Sequence, residues 1–145
     1  MDKTKQPGIL FDDVILKELA FSRKEGYADK PALNIQFEAS IGISPEKDRL
    51  LYEMTCEVND ESEFFKIKCV MIGFFSVIKG KENLELDEFA KVSAPSLLFP
   101  YIRETISSTT TKAGIPPVVI PPVNLTMLNH GPVTISIEQS IKIYP

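Results

Sequence analysis

The side chains that could do chemistry are few and scattered. The one histidine, His130, stands in NHGP, and no second histidine, cysteine or carboxylate lies at a metal-ligand spacing from it. A serine or cysteine nucleophile served by that imidazole would need the context of an elbow or a triad, and the sequence has neither. No GxxxxGKS/T or GxGxxG is present, so no backbone cradle for phosphate is expected. The acidic pairs Asp12/Asp13 and Asp87/Glu88 read as solvated charges, not as an acid/base couple. An enzyme, a metal site and a cofactor are therefore not expected.

Composition narrows the class further. The chain has 145 residues, 43% hydrophobic and 25% charged, enough for a single domain spanning 1–145 with its own core. A net charge of −4 and the lack of any long Lys/Arg run argue against nucleic acid as a partner. The start, MDKTKQPGIL, lacks the apolar stretch of a signal peptide, and the longest apolar run, CVMIGFF, is too short to cross a bilayer. A cytoplasmic protein without membrane insertion is expected. There Cys56 and Cys69 should remain thiols, and the NLT at 124–126 is a chance sequon.

The elements that would position these residues begin with strands. From Leu33 to Ile43 every odd position is apolar and the residues between are polar or small, the period of a half-buried strand. SPEKD then supplies turn formers, and Leu50, Tyr52, Met54, Cys56 and Val58 alternate again in a returning strand. Phe64 to Ile78 starts with alternation and becomes apolar on both faces, which demands cover on both. Val14 to Phe21 is the expected first strand. The expectation is an α+β fold: a four-stranded antiparallel meander followed by a short helix over ENLELDEFAKV and a long main helix packed on the sheet.

The main helix starts near Ser93 on this reading and ends at Gly114, with Leu97, Leu98, Tyr101, Ile102, Thr105, Ile106 and Thr109 on one stripe. Pro100 then lies about five residues inside, where it removes a backbone donor and frees the Ser96 carbonyl. Alternatively the helix begins near Phe99 and Pro100 is its first residue. IPPVVIPPVNL, with four prolines in eleven residues, must run extended. From Val133 the residues Val133, Ile135, Ile137, Ile141 and Ile143 mark a strand-like C-terminal tail. One helix of about 20 residues is roughly 30 Å long and covers one sheet face, so the remaining apolar surface calls for another chain or a bound polypeptide, unless the tail or the short helix covers it.

APSLLFPYIRETISS followed by TTTKAGIPPVVIPPVNL resembles the SecB family of protein-export chaperones, whose main helix carries C-P-x-x-L-F-P-Y-x-R-E-x-I-S/T-S and leads to a loop ending in A-P-V-N-F. Pro95, Leu98, Phe99, Pro100, Tyr101, Arg103, Glu104, Ile106 and Ser108 match, as do Pro122, Val123 and Asn124. LKELAF and GFFSV are similar to the family's K-D-I/L-S-F and G-I-F-S-I, so the resemblance covers about residues 9 to 128 and leaves 129–145 as a divergent tail. It implies a dimer of dimers with the main helices at the centre, which places Tyr101, Arg103, Glu104, Ser107 and Ser108 at an oligomer interface. It also implies ATP-independent holding of unfolded polypeptides in apolar grooves. By position, Leu33, Ile35 and Phe37 in the second strand, Val118 and Ile120 in the proline segment, and Leu125 and Leu128 after it become candidates for client binding; plain core is the other reading of the strand residues.

The family docks the motor SecA on an acidic patch of the outer sheet face, and Glu18 keeps one of those charges. Ser22 replaces an acid, however, and Lys66 and Lys68 stand where the family has an apolar residue and an acid. Reversed charge opposes that partner, so a dedicated client, such as the antitoxin of a toxin-antitoxin system, is an alternative to export cargo. A small-ligand binder and a structural oligomer built on the same fold are the remaining alternatives.

Overall fold

The structure, a computed structural model, describes residues 8–26, 32–78 and 85–138. Five strands, β1 (Ile9–Arg23), β2 (Ala32–Ile43), β3 (Arg49–Asp60), β4 (Phe65–Val77) and β5 (Val133–Glu138), form one sheet. One long helix, α1 (Leu86–Lys112), and a 3-10 helix, Leu125–His130, separate β4 from β5. All pairings are antiparallel, and the α+β class expected from the sequence holds.

The strand order β1-β4-β3-β2-β5 corrects the meander. Only β2, β3 and β4 follow one another; β1 pairs with β4 across the sheet. The apolar character of β4 gives the reason, since such a strand belongs in the interior with a neighbour on each side. β1 is longer than expected, and two register shifts, at Phe11/Asp13 and Leu16/Glu18, break its alternation. The C-terminal tail pairs within its own chain, Leu33 opposite Ile137 and Phe37 opposite Val133. Ile141 and Ile143 lie outside the described residues.

A single helix replaces the two expected. It runs unbroken for 27 residues with Pro95 and Pro100 in its interior, so Pro100 is not a first-turn residue, and it lies far deeper than five residues. Each proline deprives one carbonyl of its amide partner. Pro95 frees that of Lys91, and the Asn129 side-chain amide donates to this oxygen at 3.3 Å. Pro100 frees that of Ser96, on the exposed side of the helix where water can serve it. Gly114, at φ 72°, closes the helix, with the Gly114 and Ile115 amides donating to Thr111 and Thr110. The Arg23 guanidinium donates to the Ala113 carbonyl at 2.5 Å and ties the end of β1 to this terminus.

The core lies between one sheet face and α1, where Tyr52, Met54 and Cys56 meet Leu98, Ile102 and Ile106. Gly73 marks the closest approach: a Cβ there would stand 3.1 Å from Leu98 and 3.0 Å from Phe75.

On the opposite sheet face a surface side chain supplies part of the cover that β4 needs. Ile72 is 8% exposed, its cross-strand neighbours being Ile15 and Glu53. Lys17 on β1 reaches Glu53 on β3 at 2.6 Å, so its aliphatic stem crosses β4 above Ile72. The outer-face cover that the sequence assigned to another chain is supplied at this point by an ion-paired side chain.

Candidate polypeptide-binding surface

β2 sets one row of the surface. Its period-two pattern turns Leu33, Ile35 and Phe37 to the side of α1, and all three are buried. Val118 and Ile120 are fully buried as well, and Leu125 and Leu128 of the 3-10 helix nearly so. All seven candidates for client binding thus join one cluster, and as the chain stands they form a packed floor.

The proline segment can lie on this floor because it carries few donors. Pro116, Pro117, Pro121 and Pro122 have no amide hydrogen, and the Val118 N–H finds the buried Thr110 hydroxyl at 3.1 Å. That hydroxyl donates in turn to the Ile106 carbonyl at 2.9 Å. Asn124 starts the 3-10 helix by accepting from the Thr126 amide.

Each element that contributes to the floor also presents a large apolar side chain to solvent: Ile41 on β2, Val119 on the proline segment and Met127 on the 3-10 helix. A second exposed strip, which the sequence did not reveal, follows β1. Leu16 and Leu19 point to the helix side yet stay 46% and 42% exposed, because α1 lies over β3 and β4. Tyr101 is edge-on to Phe11, nearer the start of β1, at 6.1 Å. Of the other expected interface residues, Arg103 and Glu104 are exposed and Ser107 and Ser108 half-buried, with the Arg103 guanidinium over the Phe99 ring at 5.6 Å.

Glu18 is exposed on the outer sheet face, and Lys68 lies 3.2 Å from its carboxylate. Hydrogen bonding and charge from Glu18 raise the Lys68 pKa. Lys68, where the resemblance to SecB leads one to expect an acid, is thus the ion-pair partner of Glu18.

The family model described as preprotein translocase subunit SecB matches residues 2–132. The chain belongs to the SecB family. It is 30% identical to protein-export protein SecB of Nitrosospira multiformis over 140 residues, covering 89% of this chain and 85% of the relative. It is 32% identical to that of Methylobacillus flagellatus over 135 residues, covering 86% and 83%. An uncharacterised protein of Methanocaldococcus jannaschii is 27% identical over 132 residues, covering 86% and 84%. In fold the chain is similar to the SecB-like chaperone of Mycobacterium tuberculosis, solved in complex with a ChAD peptide from the HigA1 antitoxin, with a TM-score of 0.66 at 18% identity over 80% of this chain and 88% of the other.

As a SecB-family chain the protein is a holdase chaperone. Among the described residues no helix is long and apolar enough to cross a membrane.

Proposed function

We propose that the protein holds non-native polypeptides, without ATP, on the surface formed by β2, the proline segment and the 3-10 helix. The observation that carries this reading is the exposure of Ile41, Val119 and Met127 on the three elements whose other apolar residues make the floor. The exposed residues make the first contact, and Leu33, Ile35, Phe37, Val118, Ile120, Leu125 and Leu128 supply the apolar bed beneath. Exposed apolar side chains on each of three elements that share one apolar floor fit a partner that is itself apolar and extended.

The protein works in the cytoplasm as a dimer of dimers. The exposed stripe of α1 with Tyr101, Arg103, Glu104, Ser107 and Ser108, and the β1 strip with Leu16 and Leu19, form its subunit contacts. Its client is a dedicated one, of the kind an antitoxin represents. Neutralisation of Glu18 by Lys68 weakens an acidic docking site for SecA, and a similar fold carries an antitoxin peptide in the mycobacterial chaperone.

The test is suppression of aggregation of a slowly refolding client at about equimolar ratio without nucleotide. Suppression should scale with the concentration of the protein and fall in Val119→Asp and Met127→Asp, whose side chains are exposed, so that the fold is retained. Full suppression by both variants would refute the assignment of the surface.

A further inference from the structure

β5 shows what kind of ligand the β2 edge accepts. It is an extended segment with apolar residues at alternate positions, Val133, Ile135 and Ile137, and it pairs antiparallel with residues 32–37 of β2. Those three side chains extend the row of Leu33, Ile35 and Phe37, but they are only half-buried. On the other sheet face the Ser136 hydroxyl donates an exposed hydrogen bond to Asn34 at 3.2 Å.

The occupation is incomplete. β2 continues for six residues beyond Phe37, to Ile43, and among the described residues no strand pairs with that stretch on the side of β5. Its inward row is Ala39, Ile41 and Ile43, with Ile41 45% exposed. β5 cannot extend along it. Pro132 immediately precedes Val133 and has no amide to give, and Gly131, at φ 128°, turns the chain away. A foreign segment has no such stop. It can pair along all twelve residues of β2, reproducing each contact of β5 and adding those at Ala39, Ile41 and Ile43.

We infer that β5 is an internal stand-in for client, and that a client segment of about ten to twelve residues, with apolar side chains at every second position, displaces it and adds to β2 as an edge strand. This rests on the holdase reading and specifies how its surface is opened. The advantage of the client is its length: β5 is displaced by a ligand that makes more of the same interactions. A short or irregular apolar segment gains nothing over β5 and leaves it in place.

The test uses the full chain with Asn34→Cys and Ser136→Cys, positions that face each other in the register. Their oxidation locks β5 onto β2, while Cys56 and Cys69 stay buried in the core. The probe is a fluorescein-labelled twelve-residue peptide alternating isoleucine or valine with serine and lysine, alongside a control of the same composition with its apolar residues in one block. Oxidation should weaken binding of the alternating peptide at least tenfold, reductant should restore it, and the control should bind at least tenfold more weakly throughout. Equal affinity in both redox states overturns the inference. In the wild-type protein, hydrogen exchange of residues 134–137 should accelerate on addition of the alternating peptide; slowed or unchanged exchange would place the peptide elsewhere and overturn the inference without the double variant. Aggregation suppression measured on the same samples separates the two levels. A locked protein that still suppresses fully and binds the peptide unchanged sinks strand exchange alone, whereas a wild-type protein that suppresses nothing sinks the holdase reading and this one together.

Discussion

Val118→Ala tests whether the proline segment belongs to the folded core. Val118 is fully buried, and the substitution removes two carbons worth roughly 0.8 kcal/mol each in transfer free energy. Incomplete collapse around the vacated space adds about 1 kcal/mol, for a loss of about 2.5 kcal/mol. In a chain of this size each kcal/mol moves the melting temperature by roughly 2–4 °C, so Tm should fall by roughly 5–10 °C. The backbone amide and its bond to Thr110 survive this change. Thr110→Val does the reverse, keeping shape while leaving the buried Val118 amide without an acceptor, at about 1–3 kcal/mol. Val119→Ala, one residue away and 57% exposed, should leave Tm within about 2 °C. Calorimetry and circular dichroism at one fixed protein concentration provide the readout, since Tm depends on concentration for any chain that assembles. An unchanged Tm in Val118→Ala would overturn this placement, because a side chain that costs nothing to truncate is not packed in the core.

The β1 strip predicts that Leu16→Ser/Leu19→Ser yields smaller species in sedimentation velocity with an unchanged far-ultraviolet spectrum; an assembly of wild-type mass would remove β1 from the interface. Lys66→Leu/Lys68→Glu frees Glu18 and should raise affinity for SecA at least tenfold at low salt, as measured by titration calorimetry, and equal affinity would show that these charges do not govern docking. Burial pushes the Cys69 thiol from its ordinary value near 9 up to about 11. Burial, together with the neighbouring Cys69 and Glu57, pushes Cys56 higher still. Above about pH 9 the unfolded chain releases these protons and the folded chain keeps them, so stability must fall as pH rises towards about 11, at up to about 1.4 kcal/mol per pH unit for each thiol. Denaturant midpoints across that range check the slope. A thiol reagent at pH 8 should label neither cysteine until the chain unfolds.

The strands with clean alternation were legible. β2 and β3 stand within a residue or two of where period two put them, because each has one buried face. β1 was only partly legible because its two bulges shift the period. The partner of β1 could not be read at all, since pairing of β1 with β4 depends on which strand most needs a neighbour on each side. The second helix expected to start near Ser93 suits Pro95, two residues on, since proline is tolerated in a first turn. What overrides that signal is tertiary: Asn129, thirty-eight residues away, serves the carbonyl that Pro95 abandons. The seven candidate residues were found as an apolar set, but their sequence does not distinguish floor from rim. Val119 and Met127, which lie outside that set and are exposed, are the immediate neighbours of buried members, and only the path of an irregular segment decides which side faces out.

The two edges of the sheet meet the same hazard differently. An open edge with apolar side chains beside it invites another strand. At β1 the bulges and the charged Lys17 and Glu18 interrupt the edge, so what remains attractive is the apolar strip of Leu16 and Leu19 next to α1, a surface suited to a partner of fixed shape such as a second subunit. At β2 the pairing with β3 is regular over eleven residues, Leu33 to Ile43, without a bulge, and half of the strand's other edge is taken by a six-residue strand that a Gly-Pro pair prevents from growing. A regular edge reads backbone and alternation, not identity, which suits clients that share only an extended apolar pattern. Replacing Gly131-Pro132 by Ser-Thr removes the stop, and the longer internal strand should then hold the edge more firmly, lower client affinity and raise Tm. Unchanged affinity with a raised Tm would show that clients bypass β5.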